Sequence, residues 1–520
     1  MLGLWSRRFC SAIGRKSIIL PTAAAFLMPT QWLSGMGSVD NEVANQCNNS
    51  LPPILNGIKE GTFVTYTIAE RWPKTLAKAV DHVHCKRREF MEQYGPEADA
   101  DVKSIIHELS ELRYRIMTDK PLEDLTDTVY HYDMWNKLLA DLRKEYGEEQ
   151  VTWYRMSWLF TECFLYRKVV GAVAKTKYLK DFDIYREQKV EAFNGHLQET
   201  KDGLDYVFSV AKDLNEQQEK ETLETLLKMS LWGNTCDLSL SSGDSSQMKQ
   251  SPIEAARQSD HKILCNDLKV AIDSFLLKLK PNKNGSRELH IVLDNAGPEL
   301  MVDLMLGEYL METKLVDKTV LHGKEYPYFV SDCTAGDFKW TLEELNKLGG
   351  VYQEMCRKLS ERVNKNELVY EDHPFWSYPH PYCEMKFKAP DLYERLSEAS
   401  LIVFKGDLNY RKLLADREWP YETPFKTALN GFLPAPVLAL RSLKAELVAG
   451  LSHDVSEKMK AEPDKKWLSS GDVGVLSIVS TFLVVTAWTL ISCQSFSHSM
   501  STSMSVRPYG CKILMFSGYG

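Results

Sequence analysis

Three short apolar runs in this chain each stop at an acid. Leu289-His290-Ile291-Val292-Leu293 leads into Asp294, Asn295, Ala296, Gly297, Pro298 and Glu299. Tyr328-Phe329-Val330-Ser331 leads into Asp332, and Leu401-Ile402-Val403-Phe404-Lys405-Gly406 into Asp407. Apolar runs of this length, bounded by turn residues, are the pattern of strands buried in a parallel sheet. In open α/β sheets the carboxyl ends of such strands border the crevice in which ligands bind. Carboxylate and amide oxygens gathered there suit a hard cation such as Mg²⁺ or Mn²⁺ rather than Zn²⁺. Asp294, Asn295 and Asp332 are therefore candidate metal ligands. One Asp after a strand is as readily a helix N-cap. Recurrence at successive strand ends is what favours a site.

Cationic partners follow later in the chain. Asp407-Leu408-Asn409-Tyr410-Arg411-Lys412 offers an acid, an amide, a phenol and two cations, and Arg441-Ser442-Leu443-Lys444 adds two more. Arg matches phosphate through its planar fork of donors, and Lys supplies a point charge. Ordinary surface placement is the alternative. If Lys444 begins a helix beside the sheet's carboxyl edge, it reaches the same crevice. Asp372 to Tyr382 is dense in proline and aromatic residues, so it is no helix interior. It reads as a packed structural loop or as an aromatic lid, and His373 has no evident partner in sequence. Walker, dinucleotide-binding and GxSxG motifs are absent, which sets aside ATP-driven kinases, nicotinamide dehydrogenases and serine esterases.

Such residues need a rigid frame. Residues 51–240 read as a helical domain: Val102, Ile105, Ile106, Leu109, Leu112 and Ile116 recur every three or four positions. Trp153, Trp158, Leu159, Phe160 and Cys163 suggest a second helix, and Leu204, Val207, Phe208 and Ala211 a third. Ser241 to Gln247 has loop composition, opening a linker, 241–287, with an amphipathic helix from about Ile253 to Lys278. From 288 to 472 short apolar runs alternate with helical segments, Val302 to Leu310 and Leu342 to Val363 among them. The expected strands are 289–293, 318–322, 327–331, 400–405 and 435–440. That alternation predicts an α/β fold, a parallel sheet with helices on both faces packed against the helical N-terminal region.

With 520 residues, 44% apolar and 26% charged, the chain has the composition of an ordinary enzyme. Its net charge of -8 argues against broad nucleic-acid binding. Eleven cysteines without a CxxC pair signal no zinc module and fit a reducing, cytoplasmic setting. Residues 1–39 carry no acid but contain Arg7, Arg8, Arg15 and Lys16, as mitochondrial transit segments do. A disordered extension, 1–50, is the plainer reading. Residues 473–493 form an uncharged run long enough for a membrane-spanning tail anchor. A buried terminal strand is the alternative.

Taken in order, several motifs resemble those of a known family. They are Asp294-Asn295-Ala296-Gly297-x-Glu299, Ser331-Asp332-x-Thr334-x-x-Asp337-Phe338, His373-Pro374-Phe375-Trp376, Phe404 through Lys412, and Arg441-Ser442-x-Lys444. Together they resemble the metal-dependent damage-control phosphatases, in the eukaryotic subfamily also called acidic residue methyltransferase. The resemblance runs from about Leu51 to Gly474 and includes Trp232-Gly233-Asn234. It implies a Rossmann-like three-layer α/β/α sandwich with a helical N-terminal domain. It also implies a divalent ion, Mn²⁺ or Ni²⁺, and hydrolysis of sugar phosphates such as fructose 1-phosphate and fructose 6-phosphate. By position, Asp294, Asn295 and Asp332 hold the metal and act in catalysis. Asp294, Asn295, Asp407, Leu408, Asn409, Tyr410, Arg411 and Lys444 bind the substrate. Glu299 and Asp332 match positions assigned to S-adenosylmethionine under the alternative activity, methylation of glutamates on a partner protein. A non-catalytic, membrane-tethered interaction protein is the third reading. The family stops soon after a segment matched by Gly471 to Leu476, whereas this chain continues through 473–520.

Overall fold

The apolar runs assemble into one sheet. In the computed structural model, which describes residues 51–210, 214–233, 251–463 and 465–480, its strands are β1 (Ile263–Asn266), β2 (Glu288–Val292), β3 (Lys318–Gly323), β4 (Leu368–Asp372), β5 (Leu401–Lys405), β6 (Val437–Ser442) and β7 (Gly474–Val479). Their order is β1-β7-β6-β5-β2-β3-β4. Strands β2 to β6 are parallel; β7 runs antiparallel to β6, with β1 parallel beside it. From β2 the chain steps outward to β3 and β4, then restarts on the other side of β2 with β5 and β6. The direction of winding reverses between β2 and β5. Such a switch point opens a crevice beyond the carboxyl ends of the two strands.

Alternation along the strands assigns the two faces. Leu289, Ile291 and Leu293 join Leu321, Leu401, Val403 and Leu438 in one core. Among its helices, those that frame the core and the site are, in chain order, α1 (Trp72–Cys85), α2 (Ala98–Met117), α3 (Trp158–Ala174), α4 (Leu197–Val210), α5 (Glu216–Trp232), α6 (Pro298–Glu312), α7 (Ala335–Leu348), α8 (Gly350–Asn364) and α9 (Gly406–Leu413). Side chains of α4 to α8 complete that core. On the opposite face Phe404 meets Tyr382 and Phe432, and His322 meets Trp376. The result is a helical layer, the sheet, and a layer built largely from the aromatic loop. That loop is packed structure: Phe375 and Trp376 are fully buried, and Tyr328 donates to the Ser377 carbonyl. His373 caps the short helical turn Pro374–Ser377 and meets Asp391 at its edge.

The helical region follows its periodicity. Val102, Ile105, Leu109, Leu112 and Ile116 form the buried face of α2. Helix α3 is buried on nearly every side, as expected of a segment apolar all round. Several expectations need correction. Residues 327–331 are not a strand; they form a tight turn with Phe329 and Val330 at φ 44° and 68°. The helix expected from Ile253 to Lys278 is broken after Arg257, because Ile263–Asn266 pairs with β7 instead. The segment 342–363 is two helices, split where Gly349 and Gly350 take φ 72° and 54°. Gly474–Val479 is a buried strand paired on both sides, so 473–493 is not one spanning helix. Among the described residues no helix is long and apolar enough to cross a membrane. The transit-like segment, Ser241 to Gln247 and residues 481–520 lie outside the described residues.

Two buried histidines sit side by side on β2 and β3. With both rings neutral, His322 Nε2 donates to His290 Nδ1 (3.0 Å) and His290 Nε2 donates to Glu288 (3.4 Å). Burial lowers the pKa of His290, and burial followed by the His290 charge lowers that of His322 much further. The hydrogen bond from His290, then Arg395, holds the Glu288 carboxyl down at about 2. All three shifts have the same sign for linkage. Above about pH 6.5 the histidines are neutral folded or unfolded. Below it the unfolded chain takes up protons that the folded chain refuses, so stability is lost as pH falls. The midpoint of urea unfolding is therefore expected to drop between pH 6.5 and 5. His322→Asn should flatten that drop; an unchanged slope would show that the pair does not control it.

Candidate active site

The loops leaving β2 and β3 fold against each other. Asn295 and Asp332 form an antiparallel bridge, in which Cys333 N donates to Asp294 O and Ala296 N to Ser331 O, both at 2.8 Å. The left-handed turn at Phe329 and Val330 delivers Asp332 to this bridge. A β-branched residue in that conformation costs on the order of 1–3 kcal/mol, and such strain gathers at functional sites. Beyond the bridge, Thr334 and Asp337 form a capping box at the start of α7. Asp337 also accepts from Lys189 (2.8 Å) and Arg186 (2.9 Å), which ties this loop to the helical region.

Asp294, Asn295 and Asp332 are all buried and line one narrow cleft. Asp332 Oδ2 lies 3.3 Å from Lys324 Nζ. Gly406, the first residue after β5, takes φ +80°, and a Cβ there would come within 1.9 Å of Asp294 Oδ2. The glycine thus lets β5 pass directly against the Asp294 carboxylate. Two buried carboxylates beside an amide oxygen make an all-oxygen donor set, which fits a hard divalent ion. Asn295 Nδ2 donates to Glu299 Oε2 (2.8 Å) and Asp294 Oδ2 (3.2 Å), while its Oδ1 accepts from Ser331 Oγ (2.6 Å).

The cationic segment divides by direction. Asp407, Leu408 and Arg411 line the cleft. Asn409 and Tyr410 do not. Asn409 Nδ2 donates to the carbonyls of Lys405 and Leu293, its Oδ1 accepts from Tyr382, and the Tyr410 hydroxyl meets Ala449. Both hold α9 against the sheet, as helical spacing requires of residues turned from the face that carries Asp407, Leu408 and Arg411. Lys412 is buried too, donating to the carbonyls of Phe375 and Trp376. Burial pushes its pKa down to about 7. Arg411 is less available than its charge suggests: Asp416 binds it through two nitrogens, Glu162 through a third, and its guanidinium stacks on Trp158 at 3.5 Å.

Lys444 begins no helix; it stands in the loop after β6 and lines the cleft. Arg441 shapes that loop by binding the carbonyls of Ala445 and Leu447 and the carboxylate of Asp407. The same Asp407 oxygen accepts from the Lys444 backbone (3.2 Å). The spacing Arg441-x-x-Lys444 is thus a clamp followed by the residue it presents.

Sequence reasoning missed the opposite wall, which the helical region supplies. Trp158, Glu162 and Tyr166 lie four apart along α3, and Thr67, Arg71 and Thr75 four apart through the π-turn Thr67–Arg71 into α1. A four-residue spacing puts each set on one helix face. Trp72 Nε1 donates to Glu162, joining the two sets. Polar residues at this spacing were the available signal, but solvated helix faces show it equally.

The Glu299 carboxylate, a position matched to S-adenosylmethionine, is buried, with one oxygen on Asn295 and the other on Lys405 Nζ (2.9 Å). Each oxygen is held by one protein group, and Glu299 is not among the residues that line the cleft. Lys405 also meets Asp303 and the Ser230 carbonyl. Burial opposes its charge, yet Asp303 and Glu299 outweigh burial and raise its pKa.

A family model, the damage-control phosphatase ARMT1-like domain, matches residues 67–459. Damage-control phosphatase ARMT1 of Mus musculus is 39% identical over 435 residues, covering 82% of this chain and 98% of the mouse protein. The Homo sapiens protein of that name is 37% identical over 440 residues, with the same two coverages. The crystal structure of a DUF89 family protein from Pyrococcus horikoshii aligns at 15% identity and a TM-score of 0.34, covering 73% of this chain and 94% of that one. With the family model spanning every motif of the cleft, the chain belongs to the ARMT1-like damage-control phosphatase domain family.

Proposed function

We propose that the cleft hydrolyses phosphomonoesters of small sugars, fructose 1-phosphate and fructose 6-phosphate among them, with Mn²⁺ or Ni²⁺ held by Asp294, Asn295 and Asp332. The observation that carries this reading is the Asn295–Asp332 bridge, which gathers buried oxygen donors in the cleft that Lys444 also lines. A bound divalent ion supplies Lewis-acid polarisation of a phosphoryl oxygen. The chain's own residues do the rest. Lys444, held by its backbone on Asp407, offsets charge growing on the phosphoryl oxygens. Arg411 offers a guanidinium plane fixed by Glu162, Asp416 and Trp158, so little reorganisation accompanies substrate entry. The aromatic wall of Trp158, Tyr166 and Phe329 presents apolar faces to a sugar ring and keeps water from its back. Residues of α1 and α3 close the cleft over the sheet edge and thereby limit substrate size. S-Adenosylmethionine chemistry would draw on Glu299, which is buried behind Asn295 and does not line this cleft.

The test is phosphate release from fructose 1-phosphate with Mn²⁺. Activity is expected to vanish with chelator and return with added metal. Lys444→Met should lower kcat/KM by about 10²-fold, the scale of losing one preorganised charge partner. Turnover that persists in chelator would sink the metal reading, and an unaffected Lys444→Met would remove the lysine from it.

A further inference from the structure

We infer that Glu299 and Lys405 are positioning residues, which fix the amide of Asn295 with its oxygen turned to a metal ion. The inference rests on the metal reading of the cleft. Its starting point is an asymmetry in what the Asn295 side chain touches. Ionised carboxylates only accept hydrogen bonds. Asp294 Oδ2 at 3.2 Å and Glu299 Oε2 at 2.8 Å therefore both require the amide nitrogen on their side. The oxygen is left facing the Ser331 hydroxyl at 2.6 Å, with a second lone pair for a cation. Rotating the amide by half a turn would set its oxygen against two carboxylates, and the Ser331 hydroxyl would have to turn its own proton away to accept from the nitrogen.

Glu299 can do this only if it stays ionised and still while fully buried. Lys405, the last residue of β5, supplies the countercharge: its ammonium meets Glu299 Oε1 (2.9 Å), Asp303 Oδ1 (2.9 Å) and the Ser230 carbonyl (2.8 Å). Those contacts use its three N–H donors. Ser230 Oγ in turn donates to Asp303 (2.7 Å). The cluster draws one group each from β5 and α5 and two from α6, and every member is at most 2% exposed. Buried ion clusters are weak contributors to stability against apolar replacements. Here, among the described residues, the cluster meets the cleft at the Asn295 amide. Partners that orient metal ligands typically control metal affinity by 10- to 100-fold.

The experiment is a Mn²⁺ titration of the full chain, followed by calorimetry and by the electron paramagnetic resonance signal of free Mn²⁺. The wild type is compared with Glu299→Gln, which keeps the shape but removes the charge and makes the side chain a donor. Mn²⁺ binding is expected to weaken by roughly 10- to 100-fold, with the metal-free protein melting near the wild-type temperature. Should Glu299→Gln not yield folded protein, the charge-balanced pair Lys405→Met with Asp303→Asn tests the same link, and the same weakening is expected. Mn²⁺ affinity unchanged in the folded variant would overturn the inference while leaving the metal reading intact. Wild-type protein that binds no Mn²⁺ would end both. S-Adenosylmethionine that binds the wild type and not Glu299→Gln would also overturn it, making Glu299 a cofactor contact.

Discussion

Asp294→Asn is expected to cut turnover of fructose 1-phosphate by on the order of 10³-fold or more while leaving the fold intact. The two side chains have nearly the same shape, so the packing against Gly406 survives. The bridge to Asp332 survives as well, because Asp294 contributes its backbone carbonyl to Cys333 N. What disappears is one of the two buried carboxylates that the proposed metal site draws on. A divalent ion held by Asp332 and neutral amides loses half of its compensating charge. A 10³-fold loss corresponds to about 4 kcal/mol of transition-state stabilisation. Saturating Mn²⁺ should recover little of it, because misplaced charge as well as weak binding lowers the rate. The measurement is kcat across a Mn²⁺ series, with thermal unfolding as a control for folding. Turnover within tenfold of wild type would take Asp294 out of the chemistry.

Gly406→Ala should be nearly as damaging, for a reason that involves no functional group. An added Cβ would fall 1.9 Å from Asp294 Oδ2 and 2.8 Å from its Cβ. The Asp294 carboxylate must then move, and the φ of +80° adds roughly 1–2 kcal/mol of backbone strain. Displacing a reacting group by about 1 Å can cost about 10²-fold in rate. Loss of both activity and Mn²⁺ affinity is expected, together with a lower melting temperature. Gly349→Ala separates the two effects: its φ is +72°, and nothing lies within 4 Å of the new Cβ. That variant should lose stability alone. If Gly406→Ala melted earlier but kept full kcat and Mn²⁺ affinity, its glycine would serve the backbone and not the carboxylate.

The cleft's sheet-side residues were legible because strand ends leave a local signature. Asp294 and Asn295 follow an uninterrupted apolar run, and the residues at 401–405 behave likewise. Asp332 was found for a partly mistaken reason. Tyr328 to Ser331 looks like a strand by composition, yet it is a left-handed turn that returns the chain to β2. Apolar content reported burial correctly there, and the backbone path was decided by pairing with Asn295. Asn409 and Tyr410 show the opposite failure. They belong to the recognised motif, but their place on α9 turns them toward the sheet, which no spacing within six residues discloses.

Composition and order of residues determined by themselves that an α/β sheet would carry acids and an amide at its carboxyl edge, because buried strands and their polar ends are local patterns. Only the tertiary structure decided that Glu299 joins Asn295 to Lys405, that Arg411 is shared with Glu162, and that α1 and α3 wall the cleft. Apart from that between Glu299 and Asn295, those contacts join residues a hundred or more positions apart. Long-range partners are chosen by how layers pack, and packing leaves no trace in neighbouring residues.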